Sequence, residues 1–254
     1  MILAIDMGNT NIVIGGIDSA QTYFVERITT DHVKTGLEYA VNIKNILEIH
    51  DIDKSRIEGA IMSSVVPPLN APISSAINKL FGFRPRLVGS GMKTGLNIIM
   101  DNPKTVGSDM IVDAVAVVKE YPLPAIVIDM GTATTMSVVD QKGNYIGGVI
   151  FPGLRVSLDS LSSKAAQLPS ISLEIPKKVI GKNTIDCMRS GIMYGSAGMI
   201  DGIIDRMEAE LGKTPSVIAT GGLSRFVVPL CRHKIIYDEA LLMKGLWILY
   251  EKNH

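Results

Sequence analysis

A short polar turn near the start of the sequence has residue types that suit phosphate binding. The segment Asp6–Asn11 (Asp-Met-Gly-Asn-Thr-Asn) lies between two apolar, β-branched runs, which predicts a turn that joins two strands. Gly8 allows backbone amides to approach a ligand closely, and the neighbouring side chains are short and polar. Asp6, at the end of the first strand, is placed to hold a metal-bound water. The pattern indicates a polyphosphate-binding turn, and a plain hairpin turn is the alternative.

The same pattern occurs a second time, with 123 residues separating Asp6 from Asp129. The segment Ile126–Thr135 again has a β-branched run, an aspartate, a glycine-containing turn and a second polar-to-apolar run. This repeat predicts a duplicated domain, with two unrelated hairpins as the alternative. Two such turns facing each other would enclose a phosphate chain. A third turn, Ala219–Ser224, has adjacent glycines that allow the backbone to approach a flat ligand such as a nucleoside.

One carboxylate stands apart from these turns, at the start of a predicted helix. Residues Ser108–Glu120 begin with two good N-cap types and continue with apolar residues at helical spacing, so Asp109 falls in the first turn. Phosphoryl transfer needs positioning, charge neutralisation and one carboxylate to orient the nucleophile. Asp109 could supply that carboxylate. The alternative is an acid that only stabilises the helix dipole.

Alternating strands and helices surround these segments. The spacing of apolar residues predicts helices over 37–49, 72–80, 190–211 and 239–250, and strands over 59–66 and 217–220. Tyr121–Pro124 is the best linker in the chain. We therefore predict an α/β protein of two similar lobes with a cleft between them. Residues 1–121 would form the N-terminal lobe, and residues 122–254 the C-terminal lobe, which also holds the helices suited to dimerisation.

Composition excludes several classes of function. Hydrophobic residues make up 46% of the 254 residues and charged residues 20%, which is typical of a globular protein. The formal net charge is zero, which argues against a nucleic-acid partner. Two cysteines and four scattered histidines indicate neither a disulfide framework nor a zinc site. No long apolar run or secretory signal is present, so we expect a cytoplasmic protein without a membrane partner.

The order of the three turns resembles the nucleotide site of the actin, sugar-kinase and heat-shock-chaperone superfamily, which has a duplicated ribonuclease H-like (actin-like ATPase) fold. No Walker A sequence or dinucleotide fingerprint competes with this interpretation. Along nearly its whole length, the chain also resembles the type III pantothenate kinases, which catalyse the first step of coenzyme A synthesis. The matching pieces are Asp6–Asn11, Gly107–Asp109, Asp129–Thr134, Gly147–Gly148, Pro152–Gly153, Asn183–Thr184, Ser190–Gly191, Thr220–Ser224 and Leu242–Leu246.

The resemblance implies phosphorylation of pantothenate to 4′-phosphopantothenate by Mg-ATP, in a homodimer, and it implies roles for the matched residues. Asp109 would be the general base, and Asp129 would bind a monovalent cation, potassium or ammonium. Thr132 would contribute to the ATP phosphate loop, which would consist of Asp6, Met7, Gly8, Asn9, Thr10, Asn11, Ile12 and Val13. The substrate-binding residues would be Met100, Gly107, Ser108, Asp109, Met110 and Thr184.

Two positions depart from the pattern of that family. Met110 stands where the family usually has an arginine, and Met100 stands where a tyrosine is common. Pantothenate is itself a carboxylate, so the arginine would form a charge-assisted contact with it, and methionine cannot replace that contact. Arg155 is a candidate replacement because of its position in the sequence. Two alternatives therefore stay open: a nucleotide-binding regulatory protein without pantothenate kinase activity, and a kinase of another small hydroxy acid or sugar.

Overall fold

Strands and helices alternate along the whole chain. A computed structural model describes all of residues 1–254. The elements of the first half are β1 (Ile2–Met7), β2 (Asn11–Ile17), β3 (Thr22–Thr29), α1 (Gly36–Ile49), β4 (Gly59–Ser64), α2 (Asn70–Phe81), β5 (Arg86–Leu87), β6 (Asn97–Ile98) and α3 (Ser108–Glu120). Those of the second half are β7 (Ala125–Met130), β8 (Ala133–Val139), β9 (Asn144–Pro152), α4 (Leu154–Lys164), α5 (Thr184–Leu211), β10 (Ser216–Thr220), α6 (Ser224–Val227), β11 (Ile236–Tyr237) and α7 (Leu241–Lys252).

Two mixed sheets share one topology. The first sheet has the order β3-β2-β1-β4-β5, and the second has the order β11-β10-β7-β8-β9-β6, which is the same arrangement with β6 added. In the first sheet, β1, β2 and β3 form an antiparallel meander, and β4 and β5 run parallel to β1. In the second sheet, β7, β8 and β9 form the equivalent meander, and β10 and β11 run parallel to β7. The repeated strand order confirms the predicted α/β fold and the duplication.

The two central strands are buried on both faces, as their uninterrupted apolar runs predict. Residues Ile2–Ile5 of β1 and Ala125–Ile128 of β7 are at most 2% exposed. Strands β3 and β9 alternate between buried or half-buried and exposed residues for most of their length. Asp6 and Asp129 come directly after these buried runs. Each is half-buried and lies one residue before the end of its strand.

All five helices predicted from the sequence are present, with differences at the ends of four of them. Helix α3 has the predicted bounds, but α5 begins at Thr184, ahead of the predicted start at 190. Asn183 caps α5 by accepting a hydrogen bond from the Asp186 backbone N–H at 2.9 Å. No helix is both long and apolar enough to cross a membrane.

The chain forms two compact units that are not continuous segments. Unit 1 comprises Met1–Gly95, Asn102–Ala116 and Leu242–His254, and unit 2 comprises Leu96–Asp101 and Val117–Leu241. They differ from the predicted lobes chiefly because α7 belongs to unit 1. Gly245 of α7 packs so closely on α3 that a Cβ atom there would overlap the backbone carbonyl of Val112. A linker search in the sequence does not detect such a contact between distant segments.

Candidate active site

The first predicted phosphate turn connects β1 and β2 and is held by the residue that follows β3. The Gly8 N–H donates to the Asn11 carbonyl at 3.0 Å, which closes the turn. The Thr30 hydroxyl donates to the Gly8 carbonyl at 2.6 Å, and the Thr30 N–H donates to the Thr10 carbonyl at 3.0 Å. Asn9 and Thr10 are exposed at the tip. The sequence reasoning missed Thr30, because no local pattern marks a residue that acts across 22 positions.

The second turn, between β7 and β8, is one residue shorter. The Gly131 N–H donates to the Ala133 carbonyl at 3.0 Å, and the Gly153 N–H donates to the Thr132 carbonyl at 3.0 Å. Gly131 and Thr132 are exposed. A Cβ atom at Gly153 would overlap the carbonyls of Gly131 and Thr132, so only glycine allows this approach to the turn. Both turns thus present exposed backbone and hydroxyl groups, but with different lengths.

The two repeated aspartates occupy equivalent positions. Asp6 pairs with Ser63 across the parallel strands β1 and β4, and Asp129 pairs with Thr220 across β7 and β10. Both aspartates are half-buried, whereas Ser63 is 0% exposed and Thr220 is 4% exposed. Each carboxylate therefore stands beside a buried hydroxyl residue of the neighbouring strand, a pairing that the sequence reasoning did not identify.

The double-glycine turn closes around Asp129. Gly221 has φ +87°, in the left-handed region that favours glycine. A Cβ atom there would lie 2.5 Å from Asp129 Oδ1 and 2.7 Å from the Met130 carbonyl oxygen. Gly221 is thus required both by its backbone angle and by the close approach of the Asp129 carboxylate and the Met130 backbone.

Asp109 lies in the first turn of α3 and is half-buried. The Gly107 carbonyl accepts the first helical hydrogen bond, from the Ile111 N–H at 3.1 Å. The Met110 N–H donates to Asp109 Oδ1 at 2.8 Å. A side chain at Gly107 would overlap that same carboxylate oxygen. Burial raises the pKa of Asp109, and hydrogen bonds from backbone N–H groups oppose the rise only in part.

Two serines join the start of α3 to the end of β4. Ser108 Oγ lies 2.9 Å from Ser63 Oγ, and Ser63 is the register partner of Asp6. Within unit 1 the structure therefore brings the predicted base segment, Gly107–Met110, to the end of β4, the strand that pairs with β1. A carboxylate of raised pKa can act as a general base, and exposed donors of a turn can hold an anion.

The remaining predicted residues are Met110, which is adjacent to Asp109 in unit 1, and three residues of unit 2. Met110 is half-buried in unit 1, and its Sδ lies 3.7 Å from where a Cβ atom of Gly107 would stand. Met100 belongs to unit 2, where it is 36% exposed and its Sδ lies near Gly147. Thr184 and Arg155 are exposed at the starts of α5 and α4.

The oxygen donors fit a magnesium–polyphosphate ligand better than an all-protein metal cage. No group of three or more His, Cys, Asp or Glu side chains is arranged to hold a metal ion. Magnesium bound with a nucleotide takes most of its ligands from phosphate and water and needs only one or two carboxylates. In unit 1, Asp6 at the foot of the exposed first turn is a residue that could supply one.

Comparisons with known proteins show which proteins the chain is similar to. A family model described as type III pantothenate kinase matches residues 2–206. A type III pantothenate kinase from Exiguobacterium sp. is 45% identical over 253 residues, which cover 100% of this chain and 99% of that protein.

Solved structures of low sequence identity share the fold. Component A of (R)-2-hydroxyglutaryl-CoA dehydratase from Acidaminococcus fermentans is 16% identical, with a TM-score of 0.55 over 98% of this chain and 96% of that one. A ROK hexokinase from Thermus thermophilus is 11% identical, with a TM-score of 0.52 over 99% and 98%. These similarities support the ribonuclease H-like fold with two units.

Proposed function

The chain belongs to the type III pantothenate kinase family, and we propose that it transfers the γ-phosphoryl group of ATP to pantothenate. The product is 4′-phosphopantothenate, in the first step of coenzyme A biosynthesis. One observation supports the proposal beyond the family match. The segment with Asp109 is joined through Ser108 to the strand that pairs with Asp6. The candidate base and the candidate phosphate turn thus belong to one end of one sheet.

Asp109 is the general base in this proposal. The primary hydroxyl of pantothenate gives its proton to Asp109 while the hydroxyl oxygen attacks the γ-phosphorus. Burial raises the pKa of Asp109, which makes its carboxylate a stronger base than an exposed aspartate. Gly107, Ser108 and Met110 flank the carboxylate and are proposed to line the pantothenate pocket. For Met100 and Thr184, in unit 2, a substrate-binding role rests on the family pattern alone.

The exposed turns are proposed to bind the phosphates of ATP. The segment Asp6–Val13 offers amides and hydroxyls at its tip, and Thr132 offers the same donor types from the second turn. Mg²⁺ supplies neutralisation of the phosphate charge when it is bound, and Asp6 would orient its water ligands. Backbone donors bind anions without any basic excess, which agrees with the formal net charge of zero.

Asp129 is proposed to bind the monovalent cation, potassium or ammonium. This role rests on the family pattern. Asp129 is half-buried near the end of β7, and its carboxylate oxygens are of the ligand type that a weakly held cation of single charge takes. A potassium titration of the steady-state rate, with sodium as the control, tests this role.

A homodimer through α5 is also proposed. The exposed small residues of this helix recur at three- and four-residue spacing: Thr184, Cys187, Gly191, Gly195 and Gly198. Apart from the adjacent residues and the local backbone of the helix, no atom lies within 4 Å of where the Cβ atoms of the three glycines would stand. Glycine inside a helix costs about 1 kcal/mol relative to alanine, so close packing of a second helix would explain three of them.

An acceptor-dependence assay tests the main proposal. ADP release from Mg-ATP is coupled to a spectroscopic readout and measured with and without pantothenate. We expect release that depends on pantothenate. If ATP binds but pantothenate does not stimulate release, a panel of hydroxy acids and sugars distinguishes a kinase of another acceptor from a regulatory protein. The replacement of the family's arginine by Met110 is the observation that favours testing other acceptors.

A further inference from the structure

Ser63 is a buried hydroxyl residue that the proposed reaction does not use directly. It lies near the end of β4, is 0% exposed, and follows Ile61 and Met62, which are 0% and 3% exposed. Its Oγ atom has one partner, Ser108 Oγ, at 2.9 Å. A serine hydroxyl in such apolar surroundings costs free energy unless it forms a hydrogen bond, so the position requires an explanation.

The Ser108 hydroxyl forms its full set of hydrogen bonds with β4. It accepts from the Ser64 backbone N–H at 3.0 Å and donates to the Ser64 carbonyl at 3.1 Å. Since a hydroxyl has one donor and two acceptor sites, the remaining acceptor site takes the proton of Ser63 Oγ. Ser108 therefore has no free proton to offer to a substrate. Its side chain fastens the first turn of α3 to the strand.

This attachment to β4 also affects Asp109, the next residue in the chain. Asp109 has its carboxylate over Gly107 and bonded to the Met110 N–H, so its direction is set by the backbone of this first turn. That backbone is in turn fixed on β4 by Ser108. Ser63 also pairs with Asp6 in the register of β1 and β4. One buried hydroxyl thus links the strand beside the phosphate turn to the segment with the base.

We propose that Ser63 is a positioning residue, which acts through the Ser108 hydroxyl to fix the Asp109 carboxylate relative to the end of β4. The inference rests on the proposed role of Asp109 as the base, and it adds a residue that touches neither substrate. Ser63 thereby affects the chemical step through Asp109.

The test compares two serine-to-alanine variants. Ser63→Ala removes the third hydrogen bond of Ser108. Ser137→Ala is the matched control, since Ser137 is a strand serine, 3% exposed, whose hydroxyl lies 3.2 Å from the Tyr145 hydroxyl in unit 2. Each loss of a buried hydrogen bond should lower Tm by about 2–4 °C. Only Ser63→Ala should lower kcat, by about tenfold, because a small misplacement of a catalytic group has that order of effect.

Two further variants separate positioning from stability. Ser63→Thr keeps the hydroxyl and should restore most of kcat, since Thr220 occupies the equivalent position in the second sheet. In an Asp109→Asn background, Ser63→Ala should cause no further loss of kcat, because its effect passes through the missing carboxylate. Equal losses of kcat in Ser63→Ala and Ser137→Ala, or full additivity with Asp109→Asn, would overturn the inference.

A titration that needs no activity distinguishes this inference from the proposed function. The Asp109 carboxyl carbon is followed by ¹³C NMR and assigned by its absence in Asp109→Asn. In Ser63→Ala, the loosened turn admits water, so the Asp109 pKa should fall towards its usual range, whereas Ser137→Ala leaves it unchanged. If wild-type protein lacks pantothenate-dependent turnover, the proposed function fails and this titration alone decides on Ser63. An Asp109 pKa that is unchanged in Ser63→Ala then overturns the inference.

Discussion

At the scale of single residues, the chemistry centres on the half-buried carboxylate of Asp109. Burial raises its pKa, and only backbone N–H groups stabilise the charge. A raised pKa means that the folded protein favours the protonated acid. The ionised form therefore costs stability above the folded pKa, and that cost disappears as the pH falls below the unfolded value. A carboxylate kept at such a cost is typical of a functional residue.

Replacing Asp109 by asparagine separates its function from its effect on stability. We expect Asp109→Asn to lower turnover by about 10²-fold, because a general base typically contributes that much. Tm should stay equal or rise, because the buried charge is removed, and ATP affinity by calorimetry should change little. Asp53→Asn is the matched control, since Asp53 is an exposed aspartate that caps a short turn and accepts hydrogen bonds from the Ser55 N–H and the Ser55 hydroxyl. Near wild-type turnover in Asp109→Asn contradicts the base assignment.

The same pKa shift predicts how activity depends on pH. Asp109 accepts a proton only when it is ionised, so kcat/KM for pantothenate should fall as the pH decreases through its pKa. Because that pKa is raised, the midpoint should lie above the usual value of an aspartate. Steady-state rates from acidic to neutral pH measure it. A midpoint at or below the value of an exposed carboxylate would count against the assignment.

Substitutions of Met110 test how the protein binds the carboxylate of pantothenate. Met110→Arg introduces a planar guanidinium beside the Gly107–Asp109 segment, and we expect it to lower KM for pantothenate by about tenfold through charge-assisted hydrogen bonds. The value of kcat should change little, because such a contact is equal in the ground and transition states. Met110→Lys carries the charge without the planar fork and should gain less. An unchanged KM in Met110→Arg would contradict a contact between position 110 and the substrate carboxylate.

At the scale of the elements, the turns depend on glycines and on contacts from distant strands. The first turn is held by Thr30 and the second by Gly153, and neither contact follows from the local sequence of the turn. The glycine after β10 is the most constrained of these positions, because Gly221 combines a positive φ with close approach to Asp129 and Met130.

A pair of glycine substitutions separates those two constraints. Gly212 ends α5 with φ +63° and has open space around it, so Gly212→Ala carries only the cost of the backbone angle, about 1 kcal/mol. Gly221→Ala adds a clash with the Asp129 carboxylate. We expect a larger loss of Tm and a weakened activation by potassium, seen in thermal unfolding and in rate titrations. Equal effects of both variants would show that the contact with Asp129 is unimportant.

The predicted bounds of an element are correct where the sequence signals for its ends lie within the element itself. Helix α3 has the predicted bounds because its cap residues and apolar spacing are contained in the segment itself. Helix α5 starts six residues before the predicted position, because its cap, Asn183 with Asp186, precedes the glycine-rich stretch. Strand β6 has two residues, and its pairing with β9 determines that it is a strand at all.

At the scale of the whole molecule, one topology occurs twice with different turns. The register places Met7 opposite Ile12 but Met130 opposite Thr134, so the second hairpin has lost one residue. Equivalent aspartates in unequal turns agree with the different roles proposed for them, phosphate binding near Asp6 and cation binding at Asp129.

Assembly can be tested by filling the exposed stripe of α5. Gly195→Leu places a large side chain where, apart from the adjacent residues and the local helix backbone, no atom of the chain lies within 4 Å of the Cβ position, so the monomer should fold normally. If two copies pack through this helix, the variant should sediment near 27.4 kDa and the wild type near twice that mass. Ala71→Leu, on the exposed face of α2, is the control and should not dissociate. A wild-type mass near 27.4 kDa at micromolar concentration contradicts the homodimer.

The sequence by itself determined the repeated turns, the duplicated α/β fold and the helix with Asp109 in its first turn. These features follow from periodicity, caps and glycine positions, which are contained in short segments. Only the tertiary structure decided that α7 belongs to unit 1, that Thr30 holds the first turn, and that Ser63 and Ser108 fasten the base segment to β4. Those contacts join residues 22 and 45 positions apart or more, and they exist only once the sheet has set its register.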